Sequence, residues 1–321
     1  MKIQIVQLGR IGDMILATPM FSAIKHKFPQ SHIDIITGTK NFTIISQNPN
    51  IHKVKILDKN PLKLFGFVMN NLKENYDYHI DPKDHYSSES KLLALITKAK
   101  VKIGYNKPNS KIFSIALPSD TENKGLHYTQ RCFNALAPLG IEMPDFIPKP
   151  ELYPSETARQ NVKYYLYKYL INKEIVLINI SASMPHKMWQ TEKWILALNE
   201  IKSAKYTFII SSAPKERNIA KNIAEQTNSL LFEPNSLDEV MHLIKHCSLL
   251  ITPDTSLVHI AAAFNIPLIG IFSGLDEFYS KFRPLSDKYL TIRASNGYDS
   301  IHSVEHLRLV QAWEEFHKKY K

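Results

Sequence analysis

Cysteine is nearly absent from this chain of 321 residues, which contains only Cys132 and Cys247. The two thiols are far apart and lack metal-ligand spacing, which argues against a disulfide scaffold and favours a protein of the reducing cytoplasm. Apolar runs are also short, since none approaches the ~20 residues that a helix needs to cross a bilayer. Lys2 and the strand-like Ile3 to Leu8 are followed by no small-residue cleavage site, so we expect no signal peptide.

Acidic residues are in the minority, because 40 Lys and Arg against 30 Asp and Glu give a formal net charge of +10. Most of the surplus lies in residues 1–150, which hold 20 basic and 12 acidic residues, a net charge of +8. A basic region of this kind suits an anionic partner such as a phosphorylated glycolipid, an anionic membrane surface or nucleic acid. Lysine-rich codon bias is the alternative explanation.

Short apolar segments alternate with helical segments along the chain, which predicts parallel, doubly wound α/β sheets. Segment 140–153 contains three prolines and no periodicity, so it predicts a connection between two domains, 1–150 and 151–300. Residues 301–321 carry apolar side chains at helical spacing and predict a terminal amphipathic helix. Candidate strands lie at 2–8, 33–37, 54–57, 78–81 and 101–103, and then at 175–180, 207–210, 230–232, 249–251 and 268–272.

A polar turn follows the apolar run Leu249 to Ile251 and has the features of an anion site. Asp254, Thr255 and Ser256 are all good helix N-caps, and a helical apolar face comes directly after them. Free N–H groups and the helix dipole at such a turn attract phosphate. His259 lies one helical turn behind the cap, and taken alone it is an ordinary helix histidine.

A second turn follows the first predicted strand and contains Gly9, Gly12 and Asp13. The spacing is not G-x-G-x-x-G, and no acidic residue ends the second predicted strand, which argues against a dinucleotide site. Asp13 at the end of a parallel strand can accept a proton from a hydroxyl that attacks the anomeric carbon of a sugar. The alternative role for this carboxylate is a simple helix N-cap.

Lys187 follows the predicted strand 175–180 and a Ser-Ala-Ser turn. A diphosphate leaving group needs a countercharge, which a lysine or a metal ion can supply. No clustered carboxylates with Mg²⁺ spacing are visible in the sequence, so we expect a metal-independent enzyme. Considered alone, Lys187 is most simply a solvated loop residue.

Three blocks of the sequence together resemble the lipopolysaccharide heptosyltransferase family, whose members are GT-B glycosyltransferases that use ADP-heptose. The blocks run from Gly9 to Pro19, from Lys187 to Trp194 and from Asp254 to Pro267, in the family's order and over nearly the whole chain. The resemblance implies a GT-B α/β fold in which two doubly wound, Rossmann-like domains face a central cleft. It also implies that the last helix, 301–321, packs back on the first domain.

The resemblance also implies one catalytic base and a set of donor ligands. Asp13 matches the proposed general base of the family, beside the loop residues Gly9 and Gly12. Glu216 matches the glutamate that holds the donor's ribose, and Ser256 stands where the family has a glycine. The donor-binding positions implied in this way are Ser183, Lys187, Glu216, Asp254, Thr255, Ser256 and His259.

The implied reaction transfers heptose from ADP-heptose to a lipopolysaccharide or lipooligosaccharide inner-core acceptor, with inversion. The expected partners are the nucleotide-sugar donor, an anionic glycolipid acceptor and the cytoplasmic face of the inner membrane, with no cofactor and no nucleic acid. Two alternatives stay open: a GT-B enzyme that uses another nucleotide-sugar for a surface glycan, and a non-catalytic nucleotide-binding module. The presence of Asp13 and Lys187 argues against the second.

We predict that a chelator leaves transfer activity intact, because the sequence has no carboxylate cluster with the spacing of an Mg²⁺ site. The measurement is the initial rate of transfer with and without EDTA. Complete loss of transfer in EDTA, with rescue by added Mg²⁺, would show that this prediction is wrong.

Overall fold

The structure, a computed structural model, describes residues 1–320. The chain divides into two compact units, Met1–Tyr153 and a second unit that begins at Pro154. Each unit contains its own parallel sheet with helices, which confirms the predicted α/β class. Across the described residues, no helix has the length and apolar character needed to cross a bilayer.

Six parallel strands form the sheet of the first unit. They are β1 (Lys2–Gln7), β2 (His32–Thr37), β3 (Lys53–Ile56), β4 (Asn75–Ile80), β5 (Lys98–Gly104) and β6 (Ile115–Ala116). Their order is β3-β2-β1-β4-β5-β6, so β1 is paired on both sides, with Ile5 opposite Ile35 and Ile80. Strand β1 is buried along nearly its whole length, as expected where helices cover both faces of a parallel sheet.

Helices of the first unit connect its strands from β1 to β5, with two helices after β1, and a further helix follows β6. They are α1 (Ile11–Ala17), α2 (Pro19–Lys27), α3 (Phe42–Ile45), α4 (Pro61–Leu72), α5 (Ser88–Ile96) and α6 (Tyr128–Asn134). Pro19 separates α1 from α2, because proline has no N–H to continue a helix but fits the first position of a new one.

A buried ring of hydrogen bonds attaches α4 to the sheet. Gln4 Nε2 donates to Asn71 Oδ1 at 2.8 Å, Asn71 Nδ2 donates to Thr97 Oγ1 at 2.9 Å, and Thr97 donates back to Gln4 Oε1 at 2.9 Å. All three side chains are buried. Buried polar groups are costly when they lack partners, so this closed ring favours one position for the C-terminal end of α4.

A second set of buried bonds extends from this ring to β2 and β3. Lys55 Nζ donates to Asn71 Oδ1 at 3.2 Å and to the Tyr76 hydroxyl at 2.6 Å, and Tyr76 donates to Asp34 Oδ2 at 2.8 Å. Burial lowers the pKa of Lys55, whereas burial together with the Asp34 bond raises the pKa of Tyr76. A phenol thus links a buried ammonium to a buried carboxylate, so neither charge is left without a polar partner.

The second unit also contains six parallel strands. They are β7 (Glu174–Asn179), β8 (Tyr206–Ser211), β9 (Leu230–Phe232), β10 (Leu249–Pro253), β11 (Leu268–Phe272) and β12 (Tyr289–Arg293). Their order is β12-β11-β10-β7-β8-β9. Sequence reading missed β12, because only Ile292 of this edge strand is fully buried and the segment lacks a continuous apolar run.

Seven α-helices of the second unit cover its sheet. They are α7 (Glu156–Lys168), α8 (Thr191–Ile201), α9 (Arg217–Gln226), α10 (Leu237–Lys245), α11 (Ser256–Ala263), α12 (Asp276–Phe282) and α13 (His306–Tyr320). Short 3₁₀ turns lie at Pro185–Lys187, Pro214–Glu216 and Ile301–Ser303.

The last helix, α13, packs on α8 and β12 of its own unit. Its Trp313 and Phe316 join a core that also contains Trp189 and Trp194, whose rings meet edge to face at 4.8 Å. Trp189 Nε1 donates to the carbonyl oxygen of Val304 at 2.8 Å. The two tryptophans of the Lys187–Trp194 block therefore serve the core, and contact of residues 301–321 with the first unit stays a prediction.

We predict that Asn71→Ala lowers the free energy of unfolding of the first unit by about 2–4 kcal/mol, because Gln4, Thr97 and Lys55 each lose a buried hydrogen-bond partner. Denaturant unfolding measures the change. The matched control is Asn70→Ala, whose exposed neighbouring side chain should change stability by less than about 0.5 kcal/mol. Equal effects of the two substitutions would contradict the role of the ring.

Candidate functional site

Strand order brings three polar loops of the second unit to one edge of its sheet. Strand β7 lies between β10 and β8, and all three run in the same direction. The loops that follow them, 180–187, 212–216 and 254–255, are therefore neighbours at the carboxyl edge. This edge is where open α/β sheets bind their ligands.

The turn after β10 is the helix N-terminus that the sequence predicts. Thr255 is the N-cap of α11, and its Oγ1 accepts a hydrogen bond from the Leu257 N–H at 3.2 Å. Thr252 Oγ1 lies 3.3 Å from Thr255 Oγ1 and supports the cap from the strand. Asp254 and Ser256 on either side of the cap are half-buried, so the turn is accessible at its rim.

Lys187 and Asp254, which are 67 positions apart, form the central contact of this edge. Lys187 Nζ donates to Asp254 Oδ2 at 2.6 Å, and the two side chains are only 15% and 14% exposed. A pair this far from solvent is ordered more strongly than a surface ion pair. Lys187 also lies 5.9 Å from the centre of the Phe278 ring, so an ammonium group is held at the start of α11.

The loops after β7 and β8 are joined by Ser181, which the sequence analysis did not select. Its Oγ donates to Glu216 Oε2 at 3.0 Å and accepts from the Ala213 N–H at 2.8 Å. Glu216 is only 4% exposed, and its Oε1 lies 3.2 Å from Lys215 Nζ. Glu216 therefore follows β8 at the same edge as the other predicted donor ligands, and its carboxylate is bonded within the protein.

Asn179 at the end of β7 holds the loops of β7 and β10 together. Its Nδ2 donates to Thr252 Oγ1 and to the Ser181 carbonyl oxygen, both at 2.9 Å. Both side chains are buried, so the contact is a fixed part of the sheet edge. The only sequence signal for these residues is a polar side chain directly after an apolar run, at or next to the end of its strand.

The remaining predicted donor ligands differ in exposure. Ser183 is exposed on the loop after β7, between the buried Ala182 and the Lys187 turn. His259 is buried in α11, and its Nδ1 has no hydrogen-bond partner among residues 1–320. Burial lowers the pKa of His259 to about 4, against an opposing effect of Asp254, so the ring is neutral near pH 7. It offers a polar atom at this turn but no positive charge.

In the first unit, the loop after β1 positions Asp13 at the start of α1. Arg10 is the N-cap of α1 and Asp13 is the third residue of the helix, so the alternative prediction that Asp13 is itself the N-cap is wrong. Asp13 Oδ2 nevertheless accepts a hydrogen bond from the Arg10 N–H at 3.0 Å, so the carboxylate supports this helix end from within the first turn. A Cβ on Gly9 would lie 2.4 Å from the same oxygen, which explains why glycine is needed at this position. Gly12 is the second residue of α1. Capping does not exclude a second role, since Asp13 is only half-buried.

Asp13 also influences the buried hydroxyl of Tyr128. Gln7 Nε2 donates to this hydroxyl at 3.2 Å. The pKa of Tyr128 is raised well above its usual value, chiefly by burial and to a smaller extent by acidic groups that include Asp13. The Gln7–Tyr128 bond thus links the end of β1 to the start of α6, next to the loop that leads to Asp13.

A cavity of about 260 Å³ opens at the carboxyl ends of β4 and β5, and the sequence analysis did not foresee it. Its lining is mostly basic and polar, and it includes Lys83, Lys91, Lys107, His85, Tyr86 and Tyr105. Asp81 and Ser90 line its buried side. Asp81 Oδ1 accepts from the Lys83 N–H at 3.1 Å, and burial raises the pKa of this carboxyl. The cavity therefore presents lysines toward solvent above a buried, polar floor.

No three His, Cys, Asp or Glu side chains within residues 1–320 come close enough together to hold a metal ion.

Comparison with known proteins gives the family. The family model described as Glycosyltransferase family 9 (heptosyltransferase) matches residues 67–309. The chain belongs to glycosyltransferase family 9. It is similar to lipopolysaccharide heptosyltransferase 3 of Escherichia coli K12, with 24% identity over 298 residues that cover 89% of this chain and 86% of that protein.

Two solved structures share the fold of this glycosyltransferase over nearly their whole length. A family 9 glycosyl transferase from Veillonella parvula gives a TM-score of 0.84 at 18% identity, covering 98% of this chain and 96% of that one. The Escherichia coli heptosyltransferase WaaC, solved with ADP-2-deoxy-2-fluoro heptose, gives 0.77 at 19% identity, covering 98% and 99%. The predicted GT-B fold is thereby confirmed.

We predict that Lys187→Ala weakens donor binding roughly 10- to 100-fold, because a charge-assisted hydrogen bond contributes about 1.5–3 kcal/mol. Turnover should also fall, since charge develops on the leaving diphosphate. Calorimetric titration with donor and steady-state kinetics measure the two effects. The control is Lys221→Ala on α9, an exposed lysine 67% accessible, which should leave both quantities unchanged. Normal donor affinity in the Lys187 variant would make its contact with Asp254 purely structural.

Proposed function

We propose that this glycosyltransferase transfers heptose from ADP-heptose to the inner core of lipopolysaccharide or lipooligosaccharide, with inversion. The observation that carries the proposal is the Lys187 ammonium held at the N-terminus of α11 by Asp254. That contact places a countercharge beside the free N–H groups at the start of α11, and a nucleoside diphosphate requires both. The choice of ADP-heptose and of the acceptor rests on the relatives, among them a heptosyltransferase solved with an ADP-heptose analogue.

The donor is proposed to bind at the carboxyl edge of the second sheet. Lys187, Ser183 and the turn from Asp254 to His259 bind its diphosphate. For Lys187 to reach the phosphate, its bond to Asp254 must lengthen or be shared, which the loop position of both residues allows. Glu216 holds the ribose through the carboxylate that Ser181 orients.

The chemical step is proposed to be a single displacement at the anomeric carbon. The acceptor oxygen forms the new bond to this carbon as the bond to the diphosphate oxygen breaks, and ADP leaves with the electron pair. The acceptor's proton passes to Asp13, whose position is fixed by its bond from the Arg10 N–H. Attack from the face opposite the leaving group inverts the configuration.

The acceptor is proposed to be an anionic glycolipid bound by the first unit at the cytoplasmic face of the inner membrane. The net charge of +8 in residues 1–150 supports an anionic ligand. Part of this positive charge lies around the cavity at the ends of β4 and β5, which is lined by Lys83, Lys91 and Lys107. The cavity is therefore the proposed binding site of the acceptor. Acidic or phosphorylated sugars suit such lysines, and Asp81 and Ser90 suit sugar hydroxyls.

A donor panel tests the proposal directly. ADP-heptose should raise the melting temperature through binding to the folded state, whereas UDP- and GDP-sugars should have little effect. Transfer is then followed with ADP-heptose and an inner-core acceptor, and NMR of the product gives the anomeric configuration. Stabilisation by a UDP- or GDP-sugar alone would favour another donor, for which Ser256 in place of the family glycine is the first residue to examine. Donor binding without transfer would favour a non-catalytic module.

We predict that Asp13→Asn lowers turnover by ~10²–10⁴-fold, the usual contribution of a positioned general base. Donor affinity and melting temperature should stay near those of the parent enzyme, because the amide oxygen can still accept from the Arg10 N–H. Glu89→Gln is the matched control, since it changes an exposed carboxylate in the first turn of α5. Turnover of the Asp13 variant within a few-fold of the parent would show that Asp13 is not the general base. Its role would then be limited to the hydrogen bond at the start of α1.

A further inference from the structure

Helix α4 presents an apolar stripe to solvent. Leu62, Phe65, Met69 and Leu72 are 85%, 67%, 43% and 36% exposed. At about 100° per residue, their spacing of three, four and three positions puts all four on one helix face. The opposite face carries Phe67, which packs on a core cluster that contains Val6, Ile36 and Leu93. An apolar outer face that the core does not use is unusual for a helix of a soluble unit.

Helix α5 extends this apolar surface. Leu92 and Leu95 are 55% and 58% exposed, whereas Leu93 and Ala94 between them are buried in the core. The two helices contact each other. The six exposed residues on α4 and α5 are called the α4–α5 surface below.

Three exposed lysines lie on or directly after the helices that carry the α4–α5 surface, and they favour a negatively charged partner. Lys73 follows α4, Lys91 lies within α5 and Lys98 follows α5; all three are exposed, and none forms an ion pair among residues 1–320. Exposed apolar side chains together with lysines are typical of helices that lie in the interface of an anionic bilayer. A two-fold contact between copies of this chain would instead bring like charges together.

Helix α5 also connects the α4–α5 surface to the basic cavity. Ser87, Ser90 and Lys91 line the cavity, while Leu92 and Leu95 of the same helix are exposed. The helix has nine residues and is therefore only about 13 Å long. An amphiphile whose polar head enters the cavity would thus have its apolar part close to the exposed leucines.

We propose that the α4–α5 surface docks on anionic bilayers, with its apolar side chains in the interfacial region and its lysines against lipid phosphates. This inference rests on the proposed function only for the statement that the acceptor lies in that bilayer. The buried ring around Asn71 holds α4 in place, so the surface is ordered before it meets the membrane.

Vesicle flotation tests the surface with the full chain. Vesicles of phosphatidylcholine with phosphatidylglycerol should bind the protein, and vesicles of phosphatidylcholine alone should bind it less. The double variant Phe65→Ser with Leu95→Ser should partition roughly ten-fold or more less strongly, because two large apolar side chains are lost from the contact. Both residues are exposed, so an unchanged melting temperature should accompany this loss.

Tyr164→Ser with Tyr167→Ser on α7 is the matched control. These tyrosines are 67% and 77% exposed and lie beside lysines, but they belong to the second unit. An equal loss of vesicle binding in the control, or none in the α4–α5 variant, would overturn the proposal. A change of oligomeric state in light scattering, without a change in flotation, would assign the surface to self-association and equally overturn it.

Kinetics separate this inference from the proposed function. The α4–α5 variant should have a higher KM for acceptor in anionic vesicles, with unchanged donor affinity and unchanged turnover on a delipidated acceptor. Vesicle binding in the absence of any heptose transfer would leave the surface standing and remove the proposed reaction. Normal heptose transfer by a protein that does not bind vesicles would support the proposed reaction and overturn the proposed role of the α4–α5 surface.

Discussion

Parallel pairing of β10, β7 and β8 is the constraint on which the donor-side site depends. Because these neighbouring strands run in one direction, the loops after them must emerge at the same edge. Lys187, Glu216 and Asp254 are far apart in the sequence and share that edge for no other reason. The buried side chains of Asn179 and Ser181 then hold the three loops in register. Strand pairing determines which loops are neighbours, and a few hydrogen bonds between those loops determine the geometry of the site.

Features that depend on neighbouring residues were predictable from the sequence. The cap at Thr255 was one, because a capping side chain acts within a single helical turn; the break at Pro19 has the same local origin. The Lys187–Asp254 bond was not, since it depends on which strands become neighbours. The burial of Glu216 was not predictable either. The local sequence around a carboxylate at the start of a helix is the same whether its side chain is exposed or buried.

The first unit shows the same division between composition and position. Its positive charge was evident from counting, but the cavity that collects Lys91 and Lys107 depends on the pairing of β4 with β5. The apolar spacing of α4 is typical of a helix, but the same spacing would suit a helix that buries its leucines. The buried side chain of Asn71 determines which face of α4 packs on the sheet, because it is hydrogen-bonded to Gln4 of β1. The apolar stripe lies on the opposite face of the helix and is therefore exposed to solvent.

The bond between Lys187 and Asp254 has a consequence for the timing of a catalytic cycle. In the proposed function Lys187 binds the diphosphate of the donor. The Asp254 carboxylate then competes with that diphosphate for the same ammonium group. A nucleotide that arrives exchanges one anion for another, so the lysine need never regain a full hydration shell. When the spent nucleotide departs, the carboxylate can recapture the lysine and oppose rebinding. A lysine without a neighbouring carboxylate would bind the departing nucleotide for longer. Here the Asp254 carboxylate competes with that nucleotide for Lys187 and so favours its release.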